Sequence, residues 1–183
     1  MRQTEAKPVP LPPAGSHYVK CRVPLVAWII EVSDALKLSN VTASHACYLM
    51  DRLFVSEKLN KPSERPMYQL IAMICILLAS KYIETALYTP VMAELNDMSE
   101  NTYSLALFRE VELSALQWLD WNVNAITPMN YLKPFLALGA TNDDTTNQEI
   151  SKLVVLLLGL VLQDFSFASY PPSLVCAGAI YSG

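Results

Sequence analysis

Charge is what this sequence has least of. Only 16% of its 183 residues are Asp, Glu, Lys or Arg, against about 25% in an ordinary globular chain. The 13 basic and 17 acidic side chains leave a net charge of −4, with no basic block anywhere. That argues against nucleic acid as a ligand. Cys21, Cys47, Cys75 and Cys176 stand far apart, with no CxxC and no Cys/His spacing suited to a metal. They read as reduced thiols, Cys47 and Cys75 within apolar helical patterns, of a protein of the nucleus and/or cytoplasm. The opening residues, MRQTEAKPVPLPPAG, carry prolines where a secretory signal would carry an apolar stretch. The two longest apolar runs, Leu70–Ala79 and Leu153–Leu162, are ten residues each, well short of the about 20 that a membrane span needs. No membrane and no nucleic acid are expected among the partners.

Chemical signatures are equally scarce. There is no phosphate loop, metal cluster or nucleophile–base pair, and His17 and His45 have no evident triad partner. No cofactor, no metal and no catalytic residue are expected. No segment alternates with period two between turn dipeptides, so a sheet is not expected either.

What the chain has is apolar helix. Its hydrophobic fraction is 52%, which calls for a large core or for a partner to cover the excess. LIAMICILLASK, Leu70 to Lys81, reads as a helix buried on nearly every side, with a lysine where the core ends. Around it, helices are expected from about Arg22 to Leu36, with Leu25, Trp28, Ile29, Val32 and Leu36 on one apolar face. Others are expected over Ala43–Glu57, Met67–Ile83, Thr89–Leu95 with Pro90 in its first turn, and Thr102–Leu119. Asp120–Ile126 reads as an irregular link. Helices over Pro128–Leu138, Gln148–Phe165 and from Pro171-Pro172 onward follow, with a polar linker at Gly139–Asn147. The predicted class is all-α. Residues 1–16 form a flexible Pro-rich arm, whose PVPLPP could adopt polyproline II. Residues 17–126 form a five-helix unit around its apolar third member. Residues 127–183 form a partial second unit, in which SLVCAGAIYS echoes QLIAMICILLAS and which stops after its third helix.

Four segments carry a resemblance. CRVPLVAWIIEV resembles the first-helix signature of cyclins, MRxxLVxWLxEV. YLMDRLF resembles their YLxDRFL, and QLIAMICILLASKYIE their QLxxxxxLLxASKxEE. Glu112 within FREVELSALQWLDWNVNAITPMNYL matches the fifth-helix glutamate and its aromatic, leucine-rich tail. The segments follow in the family's order over residues 21 to about 135. In the later stretch LQDFSFASYPPSLVCAGA, and in the step from Lys81 to Pro90, the likeness is greatest to J-type cyclins.

The resemblance implies a cyclin fold and a regulatory subunit, not an enzyme, that binds and activates a cyclin-dependent serine/threonine kinase in cell-cycle control. The alternative within the fold is a non-kinase scaffold or transcription-related interaction module. Taken alone, Lys81 and Glu112 read either as an internal ion pair at the edge of the domain or as two charges facing a groove. The resemblance implies the groove, with Leu78, Tyr82, Glu84, Leu116, Trp121 and Val123 around the pair in the kinase contact. Ile83 stands where the family usually has an acid. Arg22 and Asp51 are expected to form a structural fork between the first two helices, and Leu70 to be structural core. A docking patch for substrate or inhibitor peptides is implied at Cys21, Pro24, Leu25, Trp28, Glu31, Tyr68 and Gln69. There Cys21, Pro24 and Tyr68 replace the family's Met, Ile and Leu, and Tyr68 is expected to narrow the groove.

Overall fold

The computed structural model describes residues 9–10, 17–56, 67–139 and 144–182. They divide into two compact units. One holds the described residues between Pro12 and Asn124; the other holds those from Ala125 onward together with Val9 and Pro10. The described residues are helices and connecting turns, with no strand among them.

The first unit contains α1 (His17–Ala35), α2 (Asn40–Val55), α3 (Tyr68–Ile83), α4 (Met92–Asp97) and α5 (Leu105–Trp118). The residues of α3 from Leu70 to Ser80 are all buried, and the helix packs against each of the other four. This is what its all-round apolarity dictates: a helix without a polar face has no side to give to water. Leu70 itself has no exposed surface.

Local signals set the ends. Ser39 caps α2, its Oγ accepting from the Thr42 N–H at 3.2 Å, one turn before the expected start. Ser104 caps α5 in the same way through the Leu107 N–H. The fourth helix begins later than proline placement predicts. Pro90 precedes it, and the Val91 N–H donates to the Glu94 carboxylate at 2.9 Å.

On α1 the inward face is turned from the expected one. The buried positions are Tyr18, Arg22, Val26, Ile29, Val32 and Ser33, while Leu25, Trp28 and Leu36 keep some exposure. An arginine and a tyrosine belong to the inward stripe, and reading apolar residues alone displaces it. Pro24 lies inside α1 on its exposed side, where it removes one backbone donor.

The second unit contains α6 (Pro128–Gly139), α7 (Asp144–Gln163), a short 3-10 helix (Phe165–Ser169) and α8 (Pro172–Ser182). The 3-10 helix was not foreseen; Asp164 starts it by accepting from the Ser166 N–H. Val9, within the expected flexible arm, is buried, and its N–H donates to the Ala168 carbonyl at 3.2 Å. PVPLPP otherwise falls largely outside the described residues.

All four cysteines are free. Burial pushes the Cys47 thiol up to about 12 and the Cys176 thiol up to about 11. Burial also raises Cys75, while Cys21 keeps partial exposure. A thiol reagent at pH 8 should therefore label Cys21 alone in the folded protein and all four sites in urea, as read by peptide mass spectrometry.

Candidate functional site: a charge pair at the end of the buried helix

Lys81 emerges where the buried stretch of α3 stops, and Glu112 lies midway along α5. Their side chains meet at 2.6 Å, Lys81 Nζ to Glu112 Oε1, with 47% of the lysine and 15% of the glutamate side chain exposed. The pair joins the two helices and still presents its cation to solvent. A concavity beside it is lined by Leu77, Lys81, Glu84, Ala86, Thr89, Pro90, Val91 and Met92. Tyr82 is 48% exposed, and Trp121, just beyond α5, is 64% exposed. Leu116, one turn after Glu112, is half-buried, and so is Val123.

Two of the residues grouped with this pair are engaged inside the unit. Leu78 is 5% exposed, so it underlies the surface instead of contributing to it. Glu84 reaches back to the start of α2, where its Oε1 accepts from the Ser39 N–H at 2.8 Å and from Thr42 Oγ1 at 2.5 Å. A carboxylate there faces the positive end of α2. Partial burial pushes the Glu84 carboxyl upward, but the hydrogen bonds from Thr42 and Ser39 outweigh it and the net displacement is downward.

Arg22 and Asp51 form a buried fork. Nε donates to Oδ1 at 2.7 Å and an Nη to Oδ2 at 2.9 Å, with side chains 4% and 5% exposed. The Tyr18 hydroxyl donates to the same Oδ1, and its ring stacks on Phe54 at 4.5 Å. Burial, then the neighbouring carboxylate, raises the Tyr18 hydroxyl well above its usual range. Sequence reasoning missed Tyr18, which lies one turn before Arg22 and so shares its face.

A second groove lies between α1 and the start of α3. Cys21, Pro24, Leu25, Trp28, Tyr68 and Gln69 line it together with Tyr103. Glu31 does not line it and is exposed further along α1. Tyr68 packs edge-on against Phe54 at 4.7 Å and lies 5.7 Å from the His17 ring. Tyr103 arrives from the turn before α5, held by Asn96, whose Nδ2 donates to the Tyr103 carbonyl at 2.7 Å and whose Oδ1 accepts from the Tyr103 N–H at 3.2 Å. Nothing local marks that tyrosine as a groove residue; the asparagine seven positions earlier brings it there.

Among the described residues no group of His, Cys, Asp and Glu could hold a metal ion, and no helix is long and apolar enough to cross a membrane.

Helices pack around one member that is buried from Leu70 to Ser80, and an ion pair stands open at its end. The family described as "Cyclin, N-terminal domain" matches residues 2–124, and "Cyclin, C-terminal domain" matches residues 126–183. The chain belongs to the cyclin family. It is 30% identical over 179 residues to a cyclin-D of Ostreococcus tauri, covering 91% of this chain and 47% of that one. It is 31% identical to cyclin-B2-2 of Arabidopsis thaliana, covering 89% of this chain and 35% of the relative. Its identity to cyclin-A1-2 of Oryza sativa subsp. japonica is 30%, covering 87% of this chain and 32% of the relative. The chain thus spans a third to a half of the length of these relatives. A viral cyclin from herpesvirus saimiri shares the fold, with a TM-score of 0.76 at 21% identity, covering 90% of this chain and 69% of that one.

Proposed function

We propose that the protein is a regulatory, non-catalytic subunit that binds and activates a cyclin-dependent serine/threonine kinase in cell-cycle control. The observation that carries this reading is the Lys81–Glu112 pair: two charges from different helices, 2.6 Å apart, with the cation half exposed. A pair needed only to join α3 to α5 gains little from standing in water. One that also takes hydrogen bonds from an incoming helix has reason to stand there, and exposed Tyr82 and Trp121 supply apolar anchors.

A kinase of this type is inactive while its αC helix is turned out and its Lys–Glu ion pair is broken. A subunit that binds the turned-in arrangement more tightly moves the population toward it by that difference in binding free energy. In this reading Lys81 and Glu112 orient the αC helix, and the apolar residues contribute most of the affinity. The groove of Cys21, Pro24, Leu25, Trp28, Tyr68, Gln69 and Tyr103 is the proposed seat for substrate or inhibitor peptides. The setting is the nucleus and/or cytoplasm.

The test uses a panel of purified cyclin-dependent kinase catalytic subunits. One of them should co-elute with the protein and phosphorylate a peptide faster in its presence. Lys81→Ala combined with Glu112→Ala should weaken that binding by about 10- to 100-fold. The melting temperature should move little, because the lysine is half exposed and the double change leaves neither charge behind without the other. Loss of the helical circular dichroism signal in the double variant would make the pair structural. Absence of binding across the panel would remove the kinase reading.

A further inference from the structure

Trp121 is displayed by a strained turn. Asp120 and Trp121 both have left-handed backbones, φ 52° and 57°, a conformation that costs roughly 1–2 kcal/mol for a residue with a Cβ. Two such residues in succession persist only where their surroundings hold them. Part of the hold is local: the Trp121 N–H donates to the Leu116 carbonyl at 2.8 Å, and the Asn122 N–H to the Leu119 carbonyl at 3.0 Å. Helix α2 adds two further contacts. Arg52 Nη1 donates to the Asn122 carbonyl at 2.6 Å, its guanidinium lying 5.8 Å from the centre of the Tyr48 ring. His45 Nε2 donates to the Val123 carbonyl at 2.7 Å.

His45 is the less ordinary of these two clamps. It is 1% exposed, and its ring lies 5.6 Å from the ring of Tyr82, the exposed residue that follows Lys81. One imidazole thus touches the end of α3 and the chain leaving α5. Burial holds the imidazole below its usual pKa, against the pull of the Val123 carbonyl, and the Arg52 charge adds to the lowering. The ring is therefore neutral at pH 7, with its proton on Nε2, where the carbonyl requires a donor.

We propose that His45 is a positioning residue for the partner-binding surface: from inside α2 it fixes Tyr82 on one side and, through Val123, the left-handed turn that displays Trp121 on the other. The proposal builds on the kinase-binding reading for its consequence, but its geometry is a property of the free protein. An apolar residue at position 45 would fill the same space and leave the Val123 carbonyl without its donor. A residue with a terminal amide would restore the donor without the ring.

The experiment places 5-fluorotryptophan in the full chain, whose three tryptophans give separate fluorine resonances, with Trp121 assigned through Trp121→Phe. His45→Phe should shift or split the Trp121 resonance while leaving that of Trp28 in place, and should weaken binding to the kinase identified above about tenfold. His45→Gln should return both toward the parent. Arg52→Met, a change at a partly exposed site that spares the core, should move the same resonance in the same sense and serves if His45→Phe does not fold. An unmoved Trp121 resonance in the folded variants, or equal effects of Phe and Gln at position 45, would overturn the proposal. A Trp121 resonance that responds as described in a protein that binds no kinase would uphold the positioning and refute the kinase reading alone.

Discussion

Asp51→Ala should lower the unfolding free energy of the first unit by about 3–5 kcal/mol, the cost of leaving one member of a buried ion pair without the other. Arg22 is 3% exposed, and Asp51 is its bidentate acceptor. Without that carboxylate a guanidinium remains in a low-dielectric interior, and the Tyr18 hydroxyl also loses its acceptor. The same logic predicts a smaller loss when both charges go. Arg22→Met combined with Asp51→Leu removes both charges together, and should fall well short of the single change. Urea denaturation followed by circular dichroism reads both, through the midpoint at constant slope. If the double variant were as unstable as Asp51→Ala, packing and not the uncompensated charge would be the cause. Tyr18→Phe deletes only the third hydrogen bond and should cost about 1 kcal/mol.

The second large effect is expected at the surface. Trp121→Ala should weaken kinase binding by about 30-fold or more, the scale of a tryptophan at the centre of an interface. Its fold should be unaffected, since 64% of the residue faces solvent. Val19→Ala, also at an exposed apolar position but on α1, should change affinity less than threefold. Isothermal titration against the kinase identified by co-elution separates the two. Equal effects at both positions would mean that general surface apolarity, and not an anchor beside the charge pair, governs association.

Much of the fold was legible because its chief determinant is local. Eleven consecutive buried positions, Leu70–Ser80, can be read from apolarity without knowing what surrounds them. Lys81 and Glu112, 31 residues apart, read by themselves either as an ion pair or as two charges facing a groove; neither has a local signature, and only family likeness favoured the groove. Less legible was any role that depends on which way a side chain turns. Leu78 and Glu84 lie near the end of α3 like Lys81, yet one is core and the other accepts hydrogen bonds from Ser39 and Thr42 at the start of α2. On α1 the inward stripe contains Tyr18 and Arg22 beside Ile29 and Val32, so apolar periodicity finds the last two but adds Leu25 and Trp28, which line a groove. Nothing in the sequence marks His45 beyond its lack of a catalytic partner. Its acceptor is a backbone carbonyl, and backbone carbonyls leave no trace in sequence.

The third helix, apolar on every side from Leu70 to Ala79, also governs how the protein can be made. It leaves the ribosome ahead of α4 and α5, two of the four helices that cover it. Until those follow, the nascent chain carries a greasy rod of some four turns with one flank uncovered, the kind of surface that chaperones bind and that clumps when it waits too long.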